Sequence, residues 1–307
     1  MITLAPGLSY LDLDFLGVPR VIATAVLQHA GGVALIDPGP TSTLPRLKAE
    51  LQRSGIGAGD LTALLLTHIH LDHAGACGTL VAENPRLRVY VHERGAPHMA
   101  SPEKLIASAT RLYGDQMDRL WGAFRPVPAS ALVPLAGGER IPAGGRTLDV
   151  GYTPGHASHH VSYFNEDAGI AFVGDTAGIR LAANGAVIAP TPPPDIDFEL
   201  WRESLDRIGR WRPETLLVTH FGPWSPATAH LTALGDQIDA LTRIGRTLLA
   251  REGTDEDREA WFVDEVRHDL RRRMPEAEAR AYEVAGRFDL NWRGLARYLR
   301  RREVVSR

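Results

Sequence analysis

Runs of apolar residues in the first part of the chain predict short strands, and one stretch between them predicts a helix. The strand pattern covers residues 21–28, 33–36, 63–67 and 88–92. The first two runs flank the turn His29-Ala30-Gly31-Gly32, which is typical of a hairpin because glycine permits a tight reversal. Apolar residues at helical spacing, from Leu44 to Leu51, predict a helix over about 43–53. The order of elements is that of a mixed α and β protein.

After residue 92 the predicted secondary structure changes from helix to strands and then back to helices. Residues 101–121 carry apolar side chains three and four residues apart and predict one long helix. Strands are then predicted over 147–152, 161–164, 170–173 and 216–219, with a helix over 198–211 between the last two. Strand signals end near residue 226, and about three helices are predicted after it. We therefore expect an α+β domain over 1–225 and a C-terminal helical extension over 226–307.

The strongest chemical signal lies directly after the buried strand at 63–67. It is the string His68-x-His70-x-Asp72-His73, in which four side chains that can bind a metal fall within six residues. Imidazole and carboxylate groups suit zinc and the neighbouring transition metals. Because alternate residues of an irregular loop can turn toward one point, the string predicts a site for one or two metal ions.

The string resembles the His-x-His-x-Asp-His signature of the metallo-β-lactamase superfamily, and three later motifs extend the resemblance. Thr153-Pro154-Gly155-His156 is similar to its third-histidine motif, and Phe172-Val173-Gly174-Asp175-Thr176 to its bridging-aspartate motif. Leu217-Val218-Thr219-His220 is similar to its last-histidine motif. The motifs span about residues 20–222. The resemblance implies a four-layer αββα sandwich, with all of these ligands at one edge.

The resemblance also implies a dinuclear metal site and a reaction. It assigns His68, His70 and His156 to one ion, Asp72, His73 and His220 to a second, and Asp175 to a bridge. Zinc is the expected metal, with iron or manganese as alternatives. A hydroxide between two divalent ions would act as the nucleophile, because bound water has a pKa near neutrality. Asp72 would orient that hydroxide and carry a proton to the leaving group.

Six further residues are candidates for roles around the metals. In the family the aspartate at the position of Asp37 lies beneath the site, where it would support a ligating histidine; a plain turn residue before Pro-Gly is the alternative. His160 is a similar candidate, with a loop histidine as the alternative. The remaining four, Tyr113, Met117, Trp121 and Phe124, would form either an apolar wall over the metals or ordinary core.

Departures from subfamily patterns narrow the expected function. Position 70 is histidine and not acidic, which disfavours the oxygen-reducing diiron branch, and Asp175 replaces the cysteine of many true β-lactamases. The segment after His220 lacks the glutathione-binding residues of glyoxalase II. We therefore expect a glyoxalase-II-like or lactonase-like hydrolase that cleaves an ester, thioester or lactone of a small molecule. A mononuclear-iron persulfide dioxygenase-like oxidoreductase and a phosphodiesterase of the same fold are the alternatives.

Composition narrows the expected partners. The 307 residues carry a formal net charge of -3 without a basic stripe, which disfavours nucleic acid as a partner. No run approaches the roughly 20 apolar residues of a membrane span, and we expect no membrane partner. A single cysteine, Cys77, excludes an internal disulfide. We expect a cytoplasmic protein that acts on a small molecule, with the helical segments as a possible surface for a homodimer.

Overall fold

The computed structural model describes residues 1–182 and 185–305 and contains two mixed sheets. Strands follow one another in chain order across the first sheet. Its first four strands are antiparallel neighbours, whereas the last four run parallel. In spatial order they are β1 (Ile2–Ala5), β2 (Leu8–Asp12), β3 (Ala23–His29), β4 (Gly32–Ile36), β5 (Leu61–Leu65), β6 (Arg88–His92) and β7 (Leu132–Leu135).

The second sheet has six strands within the described residues, in the spatial order β13-β12-β11-β10-β9-β8. Neighbours are antiparallel except for β11 and β12, which pair in parallel. In chain order they are β8 (Arg140–Ala143), β9 (Arg146–Tyr152), β10 (Val161–Asn165), β11 (Ile170–Phe172), β12 (Thr215–Val218) and β13 (Gly222–Trp224).

The buried apolar side chains form three layers: one between the two sheets and one on the outer face of each sheet. On β5, Ala63 and Leu65 face the second sheet while Leu64 faces the helices outside, because successive side chains of a strand point to opposite faces. On β12, Leu217 faces the first sheet while its neighbours Leu216 and Val218 face outward. Both faces of both sheets are thus covered, which explains their continuous apolar runs. The arrangement confirms the predicted αββα sandwich.

Helices cover the outer face of each sheet. On the first sheet they are α1 (Leu44–Arg53), α2 (Leu71–Ala74), α3 (Cys77–Glu83), α4 (Ala96–Ala100), α5 (Glu103–Tyr113) and α6 (Met117–Leu120). On the second sheet α7 (Phe198–Arg210) buries Trp201, Leu205 and Ile208. Its N-terminus is capped by Asp197, whose carboxylate accepts the Leu200 N–H at 3.1 Å.

The helix predicted over 101–121 is interrupted in the structure. α5 ends at Tyr113, one turn of 3-10 helix follows, and α6 begins at Met117. Gly114 has φ +53° and ψ -128°, a conformation that is open to glycine and strained for other residues. The apolar spacing continues across this break, so the pattern located the face correctly and overestimated the length of the helix.

The C-terminal region contains four helices within its described residues, one more than the roughly three expected. They are α8 (Ala227–Ala250), α9 (Asp255–Arg273), α10 (Glu276–Gly286) and α11 (Phe288–Val305). Pro275 separates α9 from α10, because the residue before a proline is driven out of the helical region. Arg287, with φ 40°, separates α10 from α11. The predicted extension includes residues 306 and 307, which lie outside the described residues.

Five short strands were not predicted, namely β1, β2, β7, β8 and β13. Each spans three to five residues, and three of them, β7, β8 and β13, contain a proline, which is depleted in strands. Among the helices that the structure describes, none is long and apolar enough to cross a membrane.

Candidate metal centre

The seven side chains that the motifs predict as ligands converge at one edge of the sandwich. His68 and His70 lie on the loop after β5, and Asp72 and His73 lie on α2. The other three follow the ends of strands in the second sheet: His156 after β9, Asp175 after β11 and His220 after β12. Two groups of potential ligand atoms form there, and within each group the atoms lie within 4.8 Å of one another.

The first group consists of three histidines and one oxygen of Asp175. Nδ1 of His70 lies 2.9 Å from Nε2 of His68 and 3.0 Å from Nε2 of His156. Oδ2 of Asp175 lies 3.3 Å from the same His156 nitrogen. Four donor atoms therefore surround one point, as in a tetrahedral zinc site.

The second group shares Asp175 through its other oxygen. Oδ1 of Asp175 lies 3.3 Å from Nε2 of His73 and 3.5 Å from Nε2 of His220. Oδ2 of Asp72 lies 3.3 Å from the His220 nitrogen and 3.7 Å from the His73 nitrogen. Asp175 thus directs one oxygen to each group, which is the position of a bridging ligand.

Hydrogen bonds on the outer nitrogens determine which tautomers these histidines adopt. Nδ1 of His156 donates to the Pro190 carbonyl at 2.9 Å, and Nδ1 of His220 donates to the Val21 carbonyl at 2.7 Å. Nδ1 of His73 donates to the Asp37 carboxylate at 2.8 Å. Since a neutral imidazole carries one proton, the Nε2 atoms of all three present lone pairs to the site.

These lone pairs face carboxylate oxygens, and the structure leaves two of the atoms without partners. Nε2 of His73 and Oδ1 of Asp175 are both buried, and neither has a hydrogen-bond partner. Buried acceptors that face one another are unfavourable unless a cation or proton lies between them. The donor set therefore fits divalent ions: His68, His70, His156 and Asp175 would hold one, and Asp72, His73 and His220 would hold a second, with the other oxygen of Asp175 beside them.

Electrostatics differ between the two groups. Burial lowers the pKa of His68 and His156 and lowers that of His70 to about 4, so these rings stay neutral. Burial also acts on His73 and His220, but the carboxylates of Asp175 and Asp72 outweigh it and raise the pKa of both. Without a metal ion, protons on the second group would supply the positive charge that a divalent ion supplies when bound.

Asp37 connects three segments that carry ligands. Its Oδ2 accepts hydrogen bonds from Nδ1 of His73 at 2.8 Å, the hydroxyl of Thr67 at 2.7 Å and the hydroxyl of Thr219 at 2.8 Å. Its Oδ1 accepts the Thr67 backbone N–H at 2.8 Å. Thr67 and Thr219 each precede a ligand histidine. The carboxylate therefore holds the ends of β5 and β12 together beneath the site.

The other predicted neighbours of the metals lie in different places. His160 is buried, its Nδ1 lies 3.0 Å from the Thr153 hydroxyl, and its ring stacks on that of His68. Tyr113 and Trp121 line a cleft above the ligands, and their rings make an edge-to-face contact. Met117 and Phe124 pack against the core of the first sheet and are not among the described residues that line the cleft.

The cleft has a volume of about 310 Å³ and opens over His70 and Asp72, the two half-buried members of the ligand set. Its size is at the lower end of the range for small-molecule sites. α5 and the proline-rich loop at 190–194 form two sides. The C-terminal helices supply part of the wall through Val284 and Leu290, which no sequence pattern had placed near the metals.

Four basic residues of the cleft were also missed. Arg94, His98, Lys104 and Arg287 line it, and they belong to segments far from any metal-binding motif. The threonines that contact Asp37 could have been found, because the dipeptide Thr-His ends a predicted strand twice, at Thr67-His68 and Thr219-His220. No comparable repetition marks the basic residues.

Comparison with known proteins is consistent with this geometry. The model of the metallo-beta-lactamase superfamily matches residues 17–220, so the chain belongs to that superfamily of metallo-hydrolases. The motif-based resemblance is thereby confirmed.

Two curated relatives match at modest identity. The metallo-beta-lactamase fold-containing protein ST1585 of Sulfurisphaera tokodaii is 34% identical over 169 residues, which are 54% of this chain and 62% of that protein. The hydroxyacylglutathione hydrolase of Hahella chejuensis is 28% identical over 195 residues, which are 63% of this chain and 58% of that enzyme. The chain thus spans less than two thirds of either relative.

Solved structures share the fold. The metallo-beta-lactamase family protein TTHA1429 from Thermus thermophilus superposes with a TM-score of 0.74 at 23% identity, covering 98% of this chain and 95% of that chain. The protein TTHA1623, solved in a di-iron-bound form, gives a TM-score of 0.51 at 27% identity. That match covers 66% of this chain and 89% of that chain.

Proposed function

We propose that the protein is a dinuclear metal-dependent hydrolase that cleaves an ester, thioester or lactone of a small molecule. One observation carries the proposal: two donor groups share Asp175 beneath a small cleft, and His73 and Asp175 have buried atoms that lack partners. Two divalent ions held there would supply a water of lowered pKa and a Lewis acid for the carbonyl oxygen. The similarity to a hydroxyacylglutathione hydrolase agrees with acyl transfer.

In this proposal Asp72 has the catalytic role among the protein's own groups. Its carboxylate is half-buried and lines the cleft, whereas Asp175 is buried. Burial acts to raise the pKa of Asp72, but His73 and His220 outweigh it and hold that pKa at about 2. The carboxylate is therefore ionised at neutral pH. It can accept a hydrogen bond from the attacking water, orient it, and carry its proton toward the leaving group.

The identity of the metal belongs to the same proposal. Three histidines with one carboxylate oxygen in one group, and two histidines with two carboxylates in the other, suit zinc, iron and manganese alike. Zinc is our first choice because tetrahedral nitrogen and oxygen sites are typical of it. Iron is the alternative, and the di-iron-bound form of TTHA1623 supports testing it.

The experiment combines metal loading with a panel of substrates. Chelator-treated protein is reloaded with zinc, iron or manganese, and a thioester, a lactone and a phosphodiester are offered to each form. We expect two ions per chain and hydrolysis of the thioester or lactone. Asp175→Ala should lower the metal content below two ions per chain, whereas Asp60→Asn, at an exposed turn, should not change it.

Asp72→Asn separates the chemistry from substrate binding. Because Asp72 also belongs to the second donor group, the variant is assayed once two ions per chain have been verified. It should then lower kcat for every substrate and leave KM nearly unchanged, since the residue acts on water and the leaving group. Full activity and two ions per chain in Asp175→Ala would refute the ligand assignment. A protein that binds one iron and consumes oxygen in the presence of a persulfide would be an oxidoreductase, and the hydrolase proposal would then be wrong.

A further inference from the structure

The cleft changes from charged to aromatic along a single helix. α5 presents one continuous face to it, because residues three and four positions apart lie on the same side of a helix. That face consists of Lys104, Leu105, Ser108, Ala109, Leu112 and Tyr113. Nine residues separate its ends, which is about 14 Å at 1.5 Å per residue. A ligand lying along α5 would therefore meet a different environment at each end.

The Tyr113 end lies beside the metal centre and is largely apolar. Arg287 also lines it, 5.6 Å from the centroid of the Tyr113 ring, but its charge is paired with Asp289 at 2.9 Å. Burial raises the pKa of the Tyr113 phenol, and the carboxylates of Asp72 and Asp175 raise it further, which places the ring within electrostatic reach of both. Trp121 contacts the ring edge to face at 5.1 Å between centroids. Val284 and Leu290 continue the wall. Apolar groups bound here would lie next to the ligand set.

The Lys104 end is cationic. Arg94 and Lys104 are both exposed and line the cleft, and neither forms an ion pair with any described residue. Arg94 lies over the ring of Tyr152, 5.5 Å from its centroid. Among the described residues that line the cleft, Asp195 is the acidic residue that does not belong to the candidate ligand set. It already accepts the Ser158 hydroxyl at 2.6 Å.

A buried polar group lies between this end and the metals. His159 lines the cleft with 9% of its surface exposed, and its ring centroid lies 5.8 Å from that of His70. Its Nδ1 is sealed from solvent without a partner, and its ring makes no hydrogen bond within the described residues. A buried imidazole without a partner in the chain, at the wall of a cleft, is a polar contact for a bound molecule.

We propose that the cleft selects an amphipathic acyl ester or thioester with an anionic group, a carboxylate or phosphate. Arg94 and Lys104 would hold that group at the far end of α5. The apolar part would lie on Tyr113 and Leu290, so that the scissile carbonyl meets the ligand set. The inference rests on the proposed hydrolase function and adds its substrate class. Two cationic side chains on the wall of one cleft favour an anionic ligand group, because charge-assisted hydrogen bonds are stronger than neutral ones.

The test compares matched thioesters that differ only in charge. One is the N-acetylcysteamine monothioester of dodecanedioic acid, with its methyl ester as the neutral partner. The second is the acetyl thioester of ω-mercaptoundecanoic acid, again with its methyl ester. The first pair carries the charge on the acyl group and the second carries it on the leaving group. Free thiol is measured with metal-loaded, full-length protein.

We expect wild type to prefer the anionic member of at least one pair, and that pair identifies which part of the substrate bears the charge. Arg94→Gln and Lys104→Gln should each lower the anionic-to-neutral ratio of kcat/KM two- to fivefold, roughly the effect of an exposed charge pair. The double variant should lower it about tenfold. Arg111→Gln, an exposed position on α5 that does not line the cleft, should leave the ratio unchanged.

A binding measurement without turnover completes the test. Calorimetry of the metal-free protein with dodecanedioate should show binding that weakens in the double variant and persists in Arg111→Gln. Equal kcat/KM for anionic and neutral partners in both pairs, with efficient turnover, would overturn this inference and leave the hydrolase intact. Absence of turnover with every thioester, lactone and phosphodiester would instead overturn the proposed function.

Discussion

Replacing Asp37 by asparagine tests how the fold supports the metal centre. The substitution keeps size and shape, and asparagine tolerates the left-handed backbone that Asp37 adopts at φ 52°. It removes the charge and converts one acceptor into a donor. Both carboxylate oxygens of Asp37 face donors, so the new amide nitrogen must oppose either the Thr67 N–H or three donors at Oδ2. At least one buried hydrogen bond is lost in either orientation.

The magnitude follows from that count. The less costly orientation leaves the Thr67 N–H unsatisfied, at about 1–3 kcal/mol, and weakens the three remaining bonds by removing their charge. We expect the free energy of unfolding of the metal-free protein to fall by about 2–4 kcal/mol. His73 also loses the anion that orients its Nδ1, and loss of such a partner lowers metal affinity about 10- to 100-fold.

Two assays check these values. Urea denaturation of the metal-free protein gives the free energy of unfolding, and competition with a fluorescent chelator gives the affinity of each ion. Asp60→Asn is the matched control, because Asp60 also accepts a backbone N–H, at 2.7 Å, but is exposed. It should change stability by less than about 0.5 kcal/mol. If Asp37→Asn left both stability and metal affinity at wild-type values, the assignment of Asp37 as the support of the site would be refuted.

Three further predictions concern the cleft, acid stability and the linking loop. Trp121→Ala should raise KM for long acyl thioesters more than for short ones, while Trp261→Ala, outside the cleft, should not; an equal change for all lengths would argue against an acyl pocket. Burial lowers the pKa of His230 to about 4, so the ring takes up its proton at a lower pH in the folded state than in the unfolded state. The free energy of unfolding should therefore fall by about 3 kcal/mol between pH 6.5 and 4. In His230→Gln the loss of stability over that range, followed by denaturation, should be smaller by this amount; an unchanged pH slope would contradict the assignment. Asn291→Ala should loosen the loop at 190–194 and weaken metal binding at His156, measured by chelator competition, and unaltered affinity would exclude that coupling.

The sequence located the ligand set because its signal is local. Four of the residues lie within six positions, and the other three were assigned through their resemblance to later motifs of the family, each of which follows a predicted strand. Edge strands such as β8 and β13 were missed because each contains a proline, which is depleted in strands. The interruption at Gly114 was missed because apolar spacing continued across it.

Apart from Tyr113 and Trp121, the wall of the cleft could not be predicted, for a different reason. Arg94, Lys104 and Leu290 belong to three segments that meet only after the helices have packed. Nothing in the local pattern distinguishes an arginine beside a cleft from one on a solvated face. Their placement is a property of tertiary packing, and no nearby motif marks them.

The contact between α11 and the loop at 190–194 has a consequence for how this protein can change. Asn291 accepts the Thr191 N–H at 2.9 Å, and its own carbonyl accepts the Thr191 hydroxyl at 2.8 Å. The carbonyl of the preceding residue, Pro190, accepts a hydrogen bond from Nδ1 of His156. Gly294 lies so close that a Cβ would come within 2.0 Å of the Thr191 carbonyl oxygen. The last helix therefore influences the tautomer of a candidate ligand through three consecutive contacts. A sequence change at Asn291 or Gly294, far from the motifs, should therefore alter metal affinity at His156.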